Sequence, residues 1–119
     1  MKIAAIAKQL VALSRKAQWE TAQKKLYATG ATCTEAEAMP GSSKVTVGRK
    51  AIIAKGRAFT AGIEKLHSLK VSDPVIADEF FACTMAIDMT MKGQGRMKLN
   101  ELCVYQVKRG KIVSEQFFY

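Results

Sequence analysis

At 119 residues, 49% of them hydrophobic and 24% charged, the chain has the length and make-up of one globular domain spanning 1–119. A chain of this size buries roughly two-thirds of its unfolded surface, so it needs neither a disulfide nor a metal to fold. The net charge of +9 raises nucleic acid, anionic membranes and acidic ligands as partners, but the 19 Lys and Arg residues are scattered from Lys2 to Lys111 in runs no longer than two. That spread reads as a solvated basic surface, and no basic stripe with interleaved aromatics favours nucleic acid.

Cys33, Cys83 and Cys103 are an odd count without C-x-x-C spacing. Each lies in an apolar, strand-like run, which predicts buried thiols in a reducing compartment. A zinc site would want histidines, and His67 is the sole one. Lys8 and Gln9 interrupt the apolar start of the chain, so it does not read as a signal peptide. No run reaches the ~18 apolar residues of a membrane span. The expectation is a cytoplasmic protein without metal, cofactor or membrane contact.

In chain order, Ile3, Ile6, Ala7, Leu10 and Leu13 recur at three- and four-residue steps and predict a helix over 3–14. A second helix is expected over 17–27, with Trp19, Ala22 and Leu26 on one face and Thr29-Gly30 as its stop. The short connection at Arg15-Lys16 makes the pair a helical hairpin. A strand is expected over 31–39, a loop over 40–43 and a short extended piece over 45–47. The third helix is predicted over 49–66, with Ile52, Gly56, Phe59, Ile63 and Leu66 as its stripe. Gly56 and Gly62 are unfavourable in a helix and point to close packing against the sheet.

The second half reads as strands. A strand is expected from His67 to Val71, interrupted near Asp73-Pro74 and continued at 75–77. A turn at Asp78-Glu79 leads to a long strand over 80–91. Glycine-bearing turns at Lys92–Gly95 and Lys108–Lys111 then make a three-strand meander ending in a β-hairpin. Early helices and late strands predict an α+β domain, its helices covering one side of a largely antiparallel sheet.

Several stretches carry a family likeness. Lys25-Leu26-Tyr27-Ala28, Ala31-Thr32-Cys33-Thr34-Glu35, Gly48-Arg49-Lys50-Ala51-Ile52 and Val104 to Val113 occur in the order seen in SnoaL-like proteins. The chain resembles that group of the nuclear-transport-factor-2-like superfamily, which includes ketosteroid isomerases and polyketide cyclases. Arg109 departs from the acid usual before the hairpin glycine. The resemblance implies a cone, a strongly curved sheet wrapped around helices with a pocket at its wide end, and a homodimer through the outer sheet face. Fold alone does not give the activity.

Strand parity puts Met97, Leu99, Glu101, Cys103, Tyr105 and Val107 on one face, the more apolar one, so Glu101 is an acid pointing inward. If Met91 pairs with Arg96, Asp88 lies opposite Leu99 and diagonal to Glu101. By the isomerase likeness Glu35 falls where a catalytic carboxylate sits, with Glu37 on its strand face, and His67 could share in proton transfer. A carboxylate in an apolar pocket has its pKa raised, which suits a general base beside a carbonyl. The isomerases' helix tyrosine and protonated aspartate are matched here by Leu10 and Cys103, which argues against steroid isomerisation. Leu10, Cys103, Tyr105, Met85 and Phe59 are the expected pocket lining. Two readings stay open: a cofactor-free isomerase, cyclase or dehydratase acting on a small apolar carbonyl compound through Glu35, Glu101, Asp88 and His67, or a non-catalytic ligand-binding or dimerisation module.

Overall fold

The computed structural model describes residues 1–37 and 44–119. The apolar spacing at the start of the chain forms helix α1 (Ile3–Arg15), which buries Ile6, Ala7, Leu10, Val11 and Ser14. Helix α2 (Trp19–Leu26) buries Ala22 and Leu26. The link between them is tight: Ala17 takes a positive φ of 56° and Gln18 N–H donates to Leu13 C=O at 2.9 Å.

Several expected boundaries move. Helix α2 stops at Leu26 rather than at 27, and Thr29-Gly30 is not its stop signal: Tyr27 is already extended and starts strand β1 (Tyr27–Thr34), with Gly30 inside it. Strand β1 stops at Thr34, so Glu35 lies just beyond its end and Glu37 is in a bend rather than on a shared strand face. The last expected strand positions and the predicted loop, 38–43, lie outside the described residues. Strand β2 (Val45–Val47) pairs antiparallel with β1. Helix α3 (Arg49–Gly62) ends four residues earlier than the apolar stripe suggests, and Ile63 and Leu66 belong to strand β3 (Ile63–Val71). A Cβ at Gly62 would stand 3.0 Å from Met91 Cε, and Lys92 N–H donates to Gly62 C=O at 2.9 Å, so the helix stops where it meets the sheet. Gly56 faces Gln23 of α2 instead.

Strand β3 and the short β4 (Val75–Ala77) both pair with one edge of β5 (Phe80–Met91), and the ladder breaks between them at Ser72-Asp73-Pro74, where proline has no N–H to give. Strands β5, β6 (Gly95–Lys108) and β7 (Lys111–Phe118) form the expected antiparallel meander. The sheet order is β2-β1-β7-β6-β5-β3. Strand β7 is thus central, and its contact with β1 is the one parallel pairing among the described strands. The β6–β7 hairpin turns through Arg109 (φ 53°) and Gly110 (φ 74°), both left-handed, as a tight two-residue turn requires.

One register differs in a way that matters. Met91 pairs with Gly95, not Arg96, because the turn uses Lys92, Gly93 and Gln94 with positive φ at Gly93 and Gly95. Asp88 therefore pairs with Lys98 rather than Leu99. A one-residue slip sends a side chain to the other face, so Asp88 leaves the face that holds Glu101.

The core lies between the helices and the inner sheet face. Its most buried large side chains include Phe81, Ile6, Leu10, Leu26, Met89 and Ile112. No helix among the described residues is long and apolar enough to cross a membrane.

Candidate functional site

Pleat alternation builds a row of inner-face residues across four strands: Phe81 on β5, Tyr105 on β6, Glu115 on β7 and Cys33 on β1 are successive partners. The next row is Cys83, Cys103 and Phe117, and the next pairs Met85 with Glu101. Glu101 faces inward, as parity predicts, and it lies beyond the last β7 pairing, Leu102 with Phe118. It is half-buried. Glu115, only 4% exposed, is the functional candidate that sequence reasoning missed. Parity does mark it, as an acid between Val113 and Phe117, but the irregularity that pairs Gln106 with Ser114 and Val107 with Ile112 breaks simple alternation at the start of β7.

Glu35 joins these two from the end of β1. Its Oε1 receives a bond from Lys55 Nζ on α3 at 2.9 Å, and its Oε2 one from the Tyr119 hydroxyl at 3.2 Å. Cys33 Sγ lies 3.7 Å from Oε1. Tyr27 donates its hydroxyl to Glu115 Oε2. Tyr105 stacks on Phe81 with ring centroids 4.7 Å apart.

The electrostatics follow from burial and crowding. Burial, then the charges of Glu35 and Glu115, push the Glu101 carboxyl up to about 7, against a smaller opposing effect of the Cys103 thiol. Burial also raises Glu115 to about 7, while hydrogen bonds from Tyr27 and Cys33 pull it down. Two carboxyls that are half protonated near neutrality therefore stand beside a third that carries a lysine. Burial pushes the Tyr27 and Tyr105 hydroxyls and the Cys33 thiol well up; a bond with Cys83, then burial, does so for Cys103. The site can hold and move protons at neutral pH. Among the described residues, no group of three or more His, Cys, Asp or Glu side chains is disposed to hold a metal ion.

The other expected site residues are elsewhere. Asp88 is on the outer face, bound by Arg96 through Nε–Oδ1 at 3.0 Å and Nη2–Oδ2 at 2.9 Å, and that guanidinium lowers its pKa. His67 sits at an irregularity in β3, its Nε2 2.7 Å from the Thr90 hydroxyl. Thr90 shares the outer face with Asp88, so the structure parts both residues from Glu101. Leu10, Met85, Cys103 and Tyr105 are buried core residues, and Phe59 is partly exposed with its ring edge-on to Trp19. Two surface cavities, about 780 and 380 Å³, are lined by none of the expected pocket residues and by none of the three glutamates. The larger runs along the start of α3 beside Val47 and Lys24; the smaller lies between α1 and Pro74.

Helices packed on the inner face of a largely antiparallel sheet, with acids on that face, define an α+β fold of the cystatin-like, nuclear-transport-factor-2-like class. The SnoaL-like domain matches residues 1–119, and the chain belongs to that family. It is 32% identical, over 100% of both chains and with a TM-score of 0.90, to a Mesorhizobium loti protein named as a candidate SnoaL-like polyketide cyclase and also as a carbohydrate phosphatase. A Catenulispora acidiphila protein with a ketosteroid-isomerase-like fold, solved with trimethylamine, is 16% identical over 96% of this chain and 84% of that one, with a TM-score of 0.73. A Xanthomonas campestris protein of unknown function with a cystatin-like fold is 13% identical over 99% and 90%, with a TM-score of 0.81. At those identities the last two speak for the fold alone. No curated protein is significantly similar to the chain.

Proposed function

We propose that the chain binds a small, apolar, carbonyl-bearing compound against the inner sheet face and that Glu101 transfers a proton there without a cofactor. One observation carries this reading: an inward, half-buried carboxyl raised to about 7 and flanked by a second acid. At neutral pH such a group is both base and acid, so it can take a proton from the carbon beside a carbonyl and return it elsewhere. The enolate oxygen formed in between needs donors. Lys55 and Tyr119, now on Glu35, are the donors at the rim. Leu10 and Cys103 supply none of the oxygen donors that steroid isomerisation uses, and the tyrosine–carboxyl pair of this site, Tyr27 with Glu115, occupies different strands.

The test is solvent-deuterium exchange into a panel of small cyclic ketones, followed by proton NMR. Exchange should be first order in protein and fall about 10²–10⁴-fold in Glu101→Gln. Exchange by the wild type no faster than by E101Q would refute catalysis.

A second reading, a non-catalytic binding module, is favoured by the packing of Leu10, Met85, Cys103 and Tyr105 into the core and by cavities that open elsewhere. Ligand-dependent thermal stabilisation without exchange would select it. Either reading accommodates a homodimer through the outer sheet face, where Val75 (72%), Phe80 (42%), Leu102 (43%) and Phe118 (48%) are exposed. Such an apolar patch on a sheet is a common association surface.

A further inference from the structure

Strand β6 outruns β7. The last β6–β7 pairing joins Leu102 to Phe118, whereas β6 and β5 stay paired as far as Gly95 with Met91, so among the described strands the Gly95–Glu101 stretch has a neighbour on its β5 side alone. Pleat alternation carries the inner face along this stretch from Glu101 to Leu99 and Met97. Leu99 is half-buried and Met97 is 42% exposed. The row that holds Met97 continues through the buried Met89 to Leu66, which is 38% exposed. On the outer face the same stretch carries Arg96, Lys98 and Asn100, all polar and exposed. The inner positions are therefore apolar although much of their surface is open. A single exposed hydrophobic residue needs no explanation. Here exposed residues join into a continuous strip, and the strip runs up to a half-buried carboxyl.

We propose that this strip is the tail subsite of the ligand site: an unbranched alkyl ketone sets its carbonyl end at Glu101 and lays its chain along Leu99 and Met97. The proposal rests on the reading of Glu101 as a ligand-facing acid and names the substrate class of that site. Direction follows from the two ends. Near Glu101 stand the Lys55 and Tyr119 donors on Glu35, which suit a polar head. The Met97 end is open, so a longer chain emerges into solvent instead of clashing. Four residues of strand separate Glu101 from Met97, about 13 Å, which accommodates a chain of about ten carbons. The walls suit a flexible occupant. Met85 is the strand partner of Glu101, and Met89 is that of Met97. Met91 closes the far side under α3, where a Cβ at Gly62 would stand 3.0 Å from its Cε. Unbranched, polarizable methionines adapt to a chain that takes several conformations.

The test is a binding series of straight-chain 2-ketones, from 2-butanone to 2-dodecanone, followed by NMR of the full chain labelled with carbon-13 at the methionine methyls. Affinity should rise about two- to fourfold per methylene and level off near ten carbons. The Met97 methyl should shift with the long ketones and stay still with 2-butanone. Met97→Gln, at an exposed position, should flatten the series and leave 2-butanone binding unchanged, while Leu102→Gln on the outer face should leave the whole series unchanged. An affinity that does not grow with chain length would overturn the proposal, as would a length dependence that survives in M97Q or is lost in L102Q, or no binding of any ketone. The two readings fail separately. Deuterium exchange into short ketones with a flat binding series removes the tail subsite and keeps proton transfer; a length-dependent series without exchange does the reverse.

Discussion

Replacing Glu115 by glutamine should remove much of the chain's loss of stability between about pH 5 and about pH 8. The wild-type carboxyl is 4% exposed, and burial raises it from 4.5 to about 7. The folded state therefore binds this proton more tightly than the unfolded state does. Between the two values the folded chain carries more protons, so stability falls as pH rises and levels off above the folded value. A rise of this size corresponds to roughly 3 kcal/mol, a large part of the ~5–15 kcal/mol that holds a domain together. Glutamine keeps an acceptor for the Tyr27 hydroxyl and carries no charge. E115Q should match the wild type near pH 5 and exceed it by up to about 3 kcal/mol near pH 8, or by roughly 10 °C in Tm for a domain of this length. Glu101 adds a slope of the same sign, and losing the Glu115 charge lowers its midpoint, so some slope persists in the variant. Other shifted groups act outside the window. Glu20 and Asp88 are held low by Arg57 and Arg96, so their contribution is lost below the ordinary carboxylate range. Tyr27, Tyr105, Cys33 and Cys103 are raised and act only at alkaline pH. Urea denaturation across the window measures the effect. Wild-type stability that stays flat or rises with pH would refute the reasoning, as would an E115Q variant with the wild-type slope.

Three further outcomes follow from positions away from the acids. Asp88→Asn breaks an outer-face pair whose Arg96 side chain is 60% exposed, so it should leave ligand binding and the Glu101 titration unchanged; a shift in that titration would put Asp88 back at the site. Gly110→Ala places a Cβ at φ 74° and 2.9 Å from the Met1 nitrogen, and thermal melting should show a loss of about 1–2 kcal/mol. Leu102→Glu with Phe118→Glu charges the paired outer-face residues; sedimentation should find the double variant monomeric where the wild type is a dimer, and a wild type already monomeric at high concentration removes that surface as a self-association site.

Periodicity made much of this fold legible. The 3.6-residue spacing of Ile6, Leu10 and their neighbours identified α1, and the glycine turns identified the β5–β6–β7 meander. Parity alone turned Glu101 inward. Failures came where one residue of backbone geometry decides. Asp88 was misplaced because two glycines in one turn, Gly93 and Gly95, allow two registers, and composition does not choose between them. The end of α3 was overrun because Ile63 and Leu66 continue a helical spacing that contact of Gly62 with Met91 cuts off. Glu115 escaped notice because β7 is irregular at its start, and because its partners Tyr27 and Cys33 come from the parallel pairing with β1, a contact 82 or more residues away in sequence (115 minus 33) that no local pattern announces.

The charge distribution gives the acids their significance. In a chain of net charge +9, cations are abundant. Glu20 has Lys24 and Arg57, Asp73 has Arg15, Asp88 has Arg96 and Glu35 has Lys55. Glu101 and Glu115 make no ion pair among the described residues, although sheet parity has carried them into the interior beside Glu35. Unpaired buried acids cost stability, and glutamine or an apolar residue at either position would avoid that cost. Perturbed acids kept together at such a cost are a mark of functional sites. The two substitutions should then separate stability from function: E115Q and E101Q both stabilise the fold at neutral pH, while E101Q also loses proton transfer. A pair of variants that gained stability with no loss of exchange or ligand binding would reduce the cluster to a structural accident of strand parity.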